Sequence, residues 1–433
     1  MKVYSFPRGG IRFEDSMVPS GDSSVTAFLP GLSVIPLIQH SGGRAFPTVG
    51  VGEQVREGML IGRGQGPGSA NIHATVPGRV VRQVSWTTAD GYTNDALVIR
   101  MEGAFEKLGK REETFPWEGL SAANLRHIIS DYGIVEMEMP GRPVSDLIPV
   151  PGALEDTLTL VVRCVFDDPW LVADYALCRE RLRAVVEGSA ITAKAAGAGR
   201  IVFAVSCREK HLGAELLAAA AQWSIPASLV LTGFRYPQRN ERELELVLRL
   251  YEKKENAALG SLLILGPATL AAVHDAVKLK KPVLDRYIAV GGSAVRNPQV
   301  LRARIGTRLS ELFAECGGFS RKPKRIAFGS PLRGRVVTDL DEPVIKTTCA
   351  VFALLEARSG GELSRDCINC GECRSVCPVG LDPEELYKRS RINRKKGGAG
   401  RAGECHGCGC CEAVCPSRLP LSTAIIRYAS GEN

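Results

Sequence analysis

Nine of the fourteen cysteines in this 433-residue chain fall between Cys367 and Pro416, and their spacing limits what that end can become. Cys367, Cys370, Cys373 and Cys377 precede Pro378, and Cys405, Cys408, Cys411 and Cys415 precede Pro416, so C-x2-C-x2-C-x3-C-P occurs twice. A thiolate every third residue lets one tight turn offer three sulfurs to three corners of an iron–sulfur cubane. The fourth sulfur must come from elsewhere. In two-cluster proteins the other copy supplies it, and a proline after the last cysteine helps turn the chain away from its own cluster. This assigns Cys367, Cys370, Cys373 and Cys415 to one [4Fe-4S] cluster, and Cys405, Cys408, Cys411 and Cys377 to a second. Gly371, Gly407 and Gly409 suit the turn geometry and the close approach of backbone to sulfide. Structural zinc competes for the same residues, but it uses paired C-x2-C units, and a third cysteine at the same interval is surplus to a tetrahedron. A disulfide framework fits least. Cys410 stands outside the repeat and reads as a packed or free thiol.

A chain of this length holds several domains. Its 45% hydrophobic and 24% charged content is that of a globular protein, which sets disorder aside. No run of about 18 apolar residues occurs, so no membrane-spanning helix is expected. The N-terminus shows no apolar signal region, and with thiolate-bound iron this points to a reducing cytoplasm, with any membrane association peripheral on the inner face. The formal charge of +8 is partly local, because the linker between the motifs carries Lys388, Arg389, Arg391, Arg394, Lys395, Lys396 and Arg401. That linker reads equally as a solvated loop and as a docking surface for an acidic redox partner or an anionic membrane face. It has no interleaved aromatics and accompanies no nucleic-acid module, so nucleic acid is not an expected partner.

Taken in order, the expected fold is multidomain α/β plus β. Residues 1–105 carry short apolar runs punctuated by turns, as in Ser33-Val34-Ile35-Pro36-Leu37 and Ala96-Leu97-Val98-Ile99. Glycine recurs from Val49 to Gly62, and His73-Ala74-Thr75-Val76-Pro77-Gly78 follows, which looks like a lipoyl-type barrel-sandwich. No lysine stands between Ala70 and Thr75, so the module is structural or a docking unit, and His40 and His73 read as hydrogen-bonded loop residues. Residues 118–283 alternate strands (157–165, 200–205, 228–232, 261–265) with helices (170–187, 212–222, 241–254, 268–279), which predicts a parallel sheet covered on both faces, with ligands at the strands' carboxyl ends. Residues 284–345 read as short strands around one helix, capped by Thr307 and running from Leu309 to Cys316. Thr348 to Arg358 is expected to be helical and to open the two-cluster domain, 346–433.

The whole order resembles the C subunit of the Rnf ion-translocating electron-transport complex and its soluble relatives among proline-reductase and cobalamin-reductase partners. The resemblance rests on Gly9-Gly10-Ile11, Ile35-Pro36-Leu37-Ile38-Gln39-His40, Asn71-Ile72-His73-Ala74 and Tyr287-Ile288-Ala289-Val290-Gly291-Gly292. It also rests on Gly329-Ser330-Pro331-Leu332-Arg333-Gly334, Pro343-Val344-Ile345-Lys346 and both cysteine motifs. It implies a Rossmann-like α/β domain similar to the flavin- and NADH-binding domain of respiratory complex I, and a soluble-ligand-binding β-grasp segment at 284–345. The implied partners are other subunits of a membrane electron-transport complex and ferredoxin or another redox protein.

The family's flavin loop, G-I-V-G-x-G-G-A-x-F-P-T, is here Gly133-Ile134-Val135-Glu136-Met137-Glu138-Met139-Pro140-Gly141-Arg142-Pro143-Val144. Glycines let backbone N–H groups converge on a phosphate. Glu136 and Glu138 put negative charge there instead, and Pro140 removes a donor. A second flavin motif, N-G-A-E-C-E-P-Y, is altered to Arg163-Cys164-Val165-Phe166-Asp167-Asp168-Pro169-Trp170. The expectation is an electron-transfer subunit relaying single electrons through two [4Fe-4S] clusters, with the FMN site near Gly133 lost and no catalytic residue of its own. The rivals are a complete FMN-dependent NADH-oxidising subunit with a rearranged loop, a soluble electron-transfer partner of a reductase, and a zinc-stabilised scaffold.

Overall fold

Strand Leu158–Cys164 is buried along nearly its whole length, which a run of leucine and valine permits at the centre of a sheet covered on both faces. The computed structural model, which describes residues 2–13, 19–87, 93–106, 113–150, 157–356, 364–392 and 401–431, places it in a five-stranded parallel sheet. Arg200–Ser206 flanks it on one side and Ser261–Leu265 on the other; Ala227–Thr232 and then Val3–Tyr4 continue beyond Arg200–Ser206. Alternate residues enter two cores: Leu160 and Val162 pack with helices Ala122–Asp131, Leu182–Ala196 and Pro267–Lys278, and Val161 packs with helix Glu241–Glu255. Gly188 permits the closest helix contact, since a Cβ there would strike the carbonyl of Leu270. The single helix expected over 170–187 is two, Ala173–Glu180 and Leu182–Ala196, because the chain breaks where Arg181 turns to fork onto Asp275 at 3.0 and 2.6 Å.

A six-stranded mixed sheet follows, in the order Arg335–Val337, Arg325–Phe328, Ala350–Leu354, Asp285–Gly291, Gln299–Arg304, Val25–Thr26. The expected helix from Thr348 is thus corrected to a strand through Leu354, while Arg358 lies outside the described residues. Its neighbours decide this. Ala350 and Phe352 enter the α/β core while Val351 and Ala353 enter the core around helix Leu309–Glu315, and only a period of two can serve both. The cap of that helix is also corrected: the Arg308 N–H donates to Glu311 Oε2 at 3.0 Å, and Thr307 Oγ1 has no partner.

Two smaller sheets form the barrel-sandwich. One comprises Leu32–Pro36, Thr93–Met101, Gly78–Thr87 and Gln54–Val55, and the other Ala45–Pro47, Leu60–Gly64 and Ile72–His73. The chain's first strands lie elsewhere: Val3–Tyr4 and Val25–Thr26 complete the edges of the two larger sheets. Residues Arg394, Lys395 and Lys396 of the basic linker fall outside the described residues. Among those described, no helix is long and apolar enough to cross a membrane.

The tip at Asn71 is a domain junction. Asn71 Nδ2 donates to the Asp131 carbonyl at 3.0 Å, and Gly133 (φ 60°) sits so close to the Asn71 carbonyl that a Cβ would collide with it. Lys346 closes the junction, its buried Nζ donating to the carbonyls of Asn71 and Gly133, both at 2.7 Å. Burial holds its ammonium down to about 7. The folded chain therefore releases this proton before the unfolded chain does, and Lys346 adds stability as pH rises from about 7 towards 10.5. The melting temperature of the wild type relative to Lys346→Met should climb across that window. A flat difference would show that the ammonium stays charged.

Candidate functional site

The two cysteine motifs fold as near copies. Each sets a left-handed glycine, Gly371 (φ 78°) or Gly409 (φ 79°), before a one-turn helix, Glu372–Ser375 or Cys410–Ala413. Two residues after the first cysteine the backbone is left-handed again, at Asn369 (φ 56°) and Gly407 (φ 67°); asparagine is among the few side chains that tolerate this. The N–H of Leu381 donates to Cys377 Sγ at 3.2 Å, and that of Leu419 to Cys415 Sγ at 3.5 Å.

Cys377, the last cysteine of the first copy, lines one cavity together with Cys405, Cys408 and Cys411 of the second. Cys415, the last of the second copy, packs with Cys367 and Cys373 of the first, while Cys370 stands at the surface. Among the described residues no three His, Cys, Asp or Glu side chains gather as one metal ion would require. Thiols spread around a cavity suit a cubane, which takes one sulfur ligand at each of four corners. Buried Cys410 packs against Tyr236 with Cys408.

Tyr236 joins this region to the α/β domain. Its hydroxyl donates to the Cys408 carbonyl at 2.6 Å, and Phe13 packs against both Tyr236 and Trp170. Gly10 N–H donates to the Val376 carbonyl at 2.8 Å, and a Cβ on Gly9 would collide with the backbone of Cys377. Buried Glu243 faces His406 at 3.6 Å, too far for a hydrogen bond; burial pushes Glu243 up to about 7 and His406 down to about 4.

The loop from Gly133 to Val144 ends in a buried ionic network. Glu136 accepts from the Gly266 N–H at 3.2 Å, the Thr269 hydroxyl at 3.0 Å and Arg163 at 3.2 Å. Gly266 is the N-cap of helix Pro267–Lys278, so Glu136 seats a carboxyl group at a helix N-terminus, the place an anion would take. Glu138 lies between Arg163 at 2.6 Å and Arg239 at 2.7 Å, and Arg239 also reaches Asp174 at 3.4 Å. Burial pushes Glu136 up to about 7 against the pull of Arg163. Burial alone would raise Glu138 as well, but two arginines hold it down to about 2. Asp167 accepts the Arg239 N–H at 3.2 Å and Asp168 the Trp170 N–H at 3.0 Å, and burial raises them to about 7 and 6.

Beside this network, where the barrel-sandwich, the α/β domain and the six-stranded sheet meet, is a cavity of about 650 Å3. Its wall includes His40, Glu138, Tyr236, Arg239, Phe328 and Arg333.

These parts can be set beside known proteins. Residues 5–104 match the model of the RnfC barrel sandwich hybrid domain, 129–274 the Nuo51 FMN-binding domain, 287–337 the SLBB domain and 363–419 the 4Fe-4S dicluster domain. The C subunit of the ion-translocating oxidoreductase complex of Rhodobacter capsulatus is 31% identical over 397 residues, covering 90% of this chain and 76% of the relative. This chain belongs to that family of C subunits. Its members include the C subunit of the proton-translocating ferredoxin:NAD(+) oxidoreductase complex of Clostridium ljungdahlii, 29% identical over 385 residues, covering 88% of this chain and 83% of the relative. The C subunit of the Na(+)-translocating ferredoxin:NAD(+) oxidoreductase complex of Acetobacterium woodii is 26% identical over 366 residues, covering 84% and 82%.

The cysteines fit iron–sulfur clusters, whereas the loop does not fit the phosphate end of FMN. The N–H, hydroxyl and guanidinium groups that an anion would use are already bonded to Glu136 and Glu138. A phosphate would have to displace a carboxylate that the chain cannot release.

Of the eight motif cysteines, Cys377, Cys405, Cys408 and Cys411 line one cavity, Cys367, Cys373 and Cys415 pack together with Cys411, and Cys370 is exposed. His40 and His73 depart from expectation: His40 is buried, His73 is partly buried within a short strand and stacked on Tyr132, and neither Nδ1 has a partner. Sequence reasoning passed over Tyr236 and Arg239. The available signal was Phe234-Arg235-Tyr236-Pro237-Gln238-Arg239, aromatics and arginines in a turn after strand Ala227–Thr232, where α/β sheets gather ligands.

Arg163→Met should destabilise the fold by about 3 kcal/mol or more, because it leaves two buried carboxylates short of a cation. Adding Glu136→Gln should recover part of that loss, and thermal unfolding of the single and double variants measures the coupling. Equal losses would mean that Arg163 acts through packing alone.

Proposed function

We propose that this chain is the iron–sulfur electron-transfer subunit of an ion-translocating oxidoreductase complex. Cys367, Cys370, Cys373 and Cys415 hold one [4Fe-4S] cluster, and Cys405, Cys408, Cys411 and Cys377 hold another. The observation that carries this reading is Cys377 lining one cavity with the first three cysteines of the other copy. When bound, such a cluster takes up or gives up one electron at a time. The protein's part is to aim the N–H groups of Leu381 and Leu419 at two of the sulfurs and to shield Cys408 from water behind Tyr236 and Leu332. Cys370 and Ile368, 65% exposed, leave the other group open to a redox partner.

Its partners are the other subunits of the complex, with ferredoxin or another redox protein at the exposed end. Membrane association is peripheral, by docking on those subunits. Electrons enter from a partner protein, because Glu136 and Glu138 fill the phosphate seat. The match of 129–274 to an FMN-binding domain supports a second reading, a complete FMN-dependent NADH-oxidising subunit.

Anaerobically purified full-length chain should contain about eight irons and about eight acid-labile sulfides and no stoichiometric flavin. One FMN per chain would decide for the second reading. Cys377→Ser should abolish the same paramagnetic resonance signal as Cys408→Ser. If it instead matches Cys367→Ser, the crossed ligand assignment is wrong.

A further inference from the structure

The cavity formed by Cys377, Cys405, Cys408 and Cys411 lies just beneath a basic face of the molecule. Cys377 and Leu381 line that cavity and also line a surface depression of about 490 Å3, whose wall includes Arg8, Arg374 and Arg401. Arg401 donates to the carbonyls of Gly380 at 3.2 Å and Val379 at 3.1 Å, and Arg8 packs where a side chain on Gly380 would stand. The face continues along the segment that carries Gly9 and Gly10. Arg12 and Arg208 stack on Phe234, 4.8 and 3.9 Å from its ring centre. Arg235 lies 4.3 Å from the ring centre of Phe6 and donates to the Phe6 carbonyl at 2.5 Å. These side chains meet because strands Val3–Tyr4, Ala227–Thr232 and Arg200–Ser206 are neighbours in one parallel sheet, and each is followed at its carboxyl end by one or two of these arginines.

Much of this charge is left over. Arg374 is paired with Asp382 and Glu384, and Arg401 with Glu404. Glu209, next to Arg208 in the chain, is engaged with Tyr175. Among the described residues Arg8, Arg12, Arg208 and Arg235 join no ion pair, and the first three are exposed. A guanidinium already stacked on a ring loses little freedom when it meets a carboxylate, and arginine beside aromatic side chains is a common composition of protein interfaces. The arginines come from separate stretches and spread over a face, so a small anion would reach only some of them. An extended acidic surface would reach them all.

We propose that this face docks an acidic one-electron carrier protein, whose electron enters the cysteine group that contains Cys377. In that step the carrier is oxidised and the cluster reduced, each by one electron, and no bond forms or breaks. The electron step rests on the cluster ligation proposed above, whereas the docking face does not. It is also a separate place from the Cys370 end, where Lys388 donates to Asn369 at 3.0 Å.

Equilibrium binding of an acidic bacterial ferredoxin to the full-length protein tests the docking, and anaerobic stopped-flow reduction of the loaded protein by the same ferredoxin, pre-reduced, tests electron entry. Affinity and reduction rate should both fall about tenfold or more between about 20 and about 300 mM salt. Arg8→Gln together with Arg12→Gln should weaken both about tenfold at low salt, while reduction by dithionite stays unchanged. Lys388→Gln should alter neither. Binding that ignores salt and the two arginines, or that follows Lys388 instead, overturns the proposal, and so does a single-stranded oligonucleotide held more tightly than the ferredoxin. Iron and sulfide measured on the same samples keep the two readings apart. A loaded chain that dithionite reduces but ferredoxin neither binds nor reduces sinks the docking face alone, and a chain without iron that still binds ferredoxin through the arginines sinks the cluster reading alone.

Discussion

A carboxylate fixed at the start of helix Pro267–Lys278 is the interaction on which the α/β domain depends. The N-terminus of a helix is an anion site by construction, because its first N–H groups lack partners and the dipole favours negative charge. Here the carboxyl group of Glu136 occupies that place, tethered to the backbone and bonded to Gly266, Thr269 and Arg163. Once it is seated, Arg163 can also serve Glu138, and Glu138 brings in Arg239 from the turn after strand Ala227–Thr232. A buried network of this kind is weak evidence for net stability, since replacing it with apolar side chains is often neutral or favourable. What it secures is position. The loop from Gly133 to Val144 is pinned, and the seat a mobile anion would use is permanently taken.

The cysteine pattern was legible because cubane ligation is local: three sulfurs from one turn and a fourth at a fixed offset leave little for tertiary structure to change. Strand Leu158–Cys164 and its parallel neighbours were legible for a related reason, since a continuous apolar run between turns has few other uses. Ala350–Leu354 was misread because five apolar residues carry no period of their own. The two cores on either side impose one, taking Phe352 to one and Val351 to the other. The break at Arg181 was hidden for the same kind of reason, because its cause, Asp275, is 94 residues away.

The N-terminal segment shows how non-local such causes can be. Val3–Tyr4 and Val25–Thr26 are two-residue strands that no propensity argument would place, yet each completes a sheet edge in a different domain. Between them, Gly9 and Gly10 press against Cys377 and Val376, and Ile11 exchanges backbone hydrogen bonds with Tyr236. The two glycines are intelligible only once both contact surfaces are known: a side chain at Gly9 would strike the backbone of Cys377, and one at Gly10 the Tyr236 carbonyl and the Phe6 ring.

That contact gives the two cysteine groups different surroundings. Cys408 lies under Tyr236, against the α/β domain and next to the cavity, whereas Cys370 faces outward at the other end. Cys377 lines the inner cavity with three cysteines of the second copy, and Cys415 packs with Cys367 and Cys373 of the first, so the two copies interleave. The interleaving therefore does more than bring a fourth sulfur near. It ties the inner and outer cysteines to one another, and Gly9, Gly10 and Tyr236 hold the inner ones against the α/β domain. The direction from cavity to surface is thus built by contacts well outside the cysteine motifs.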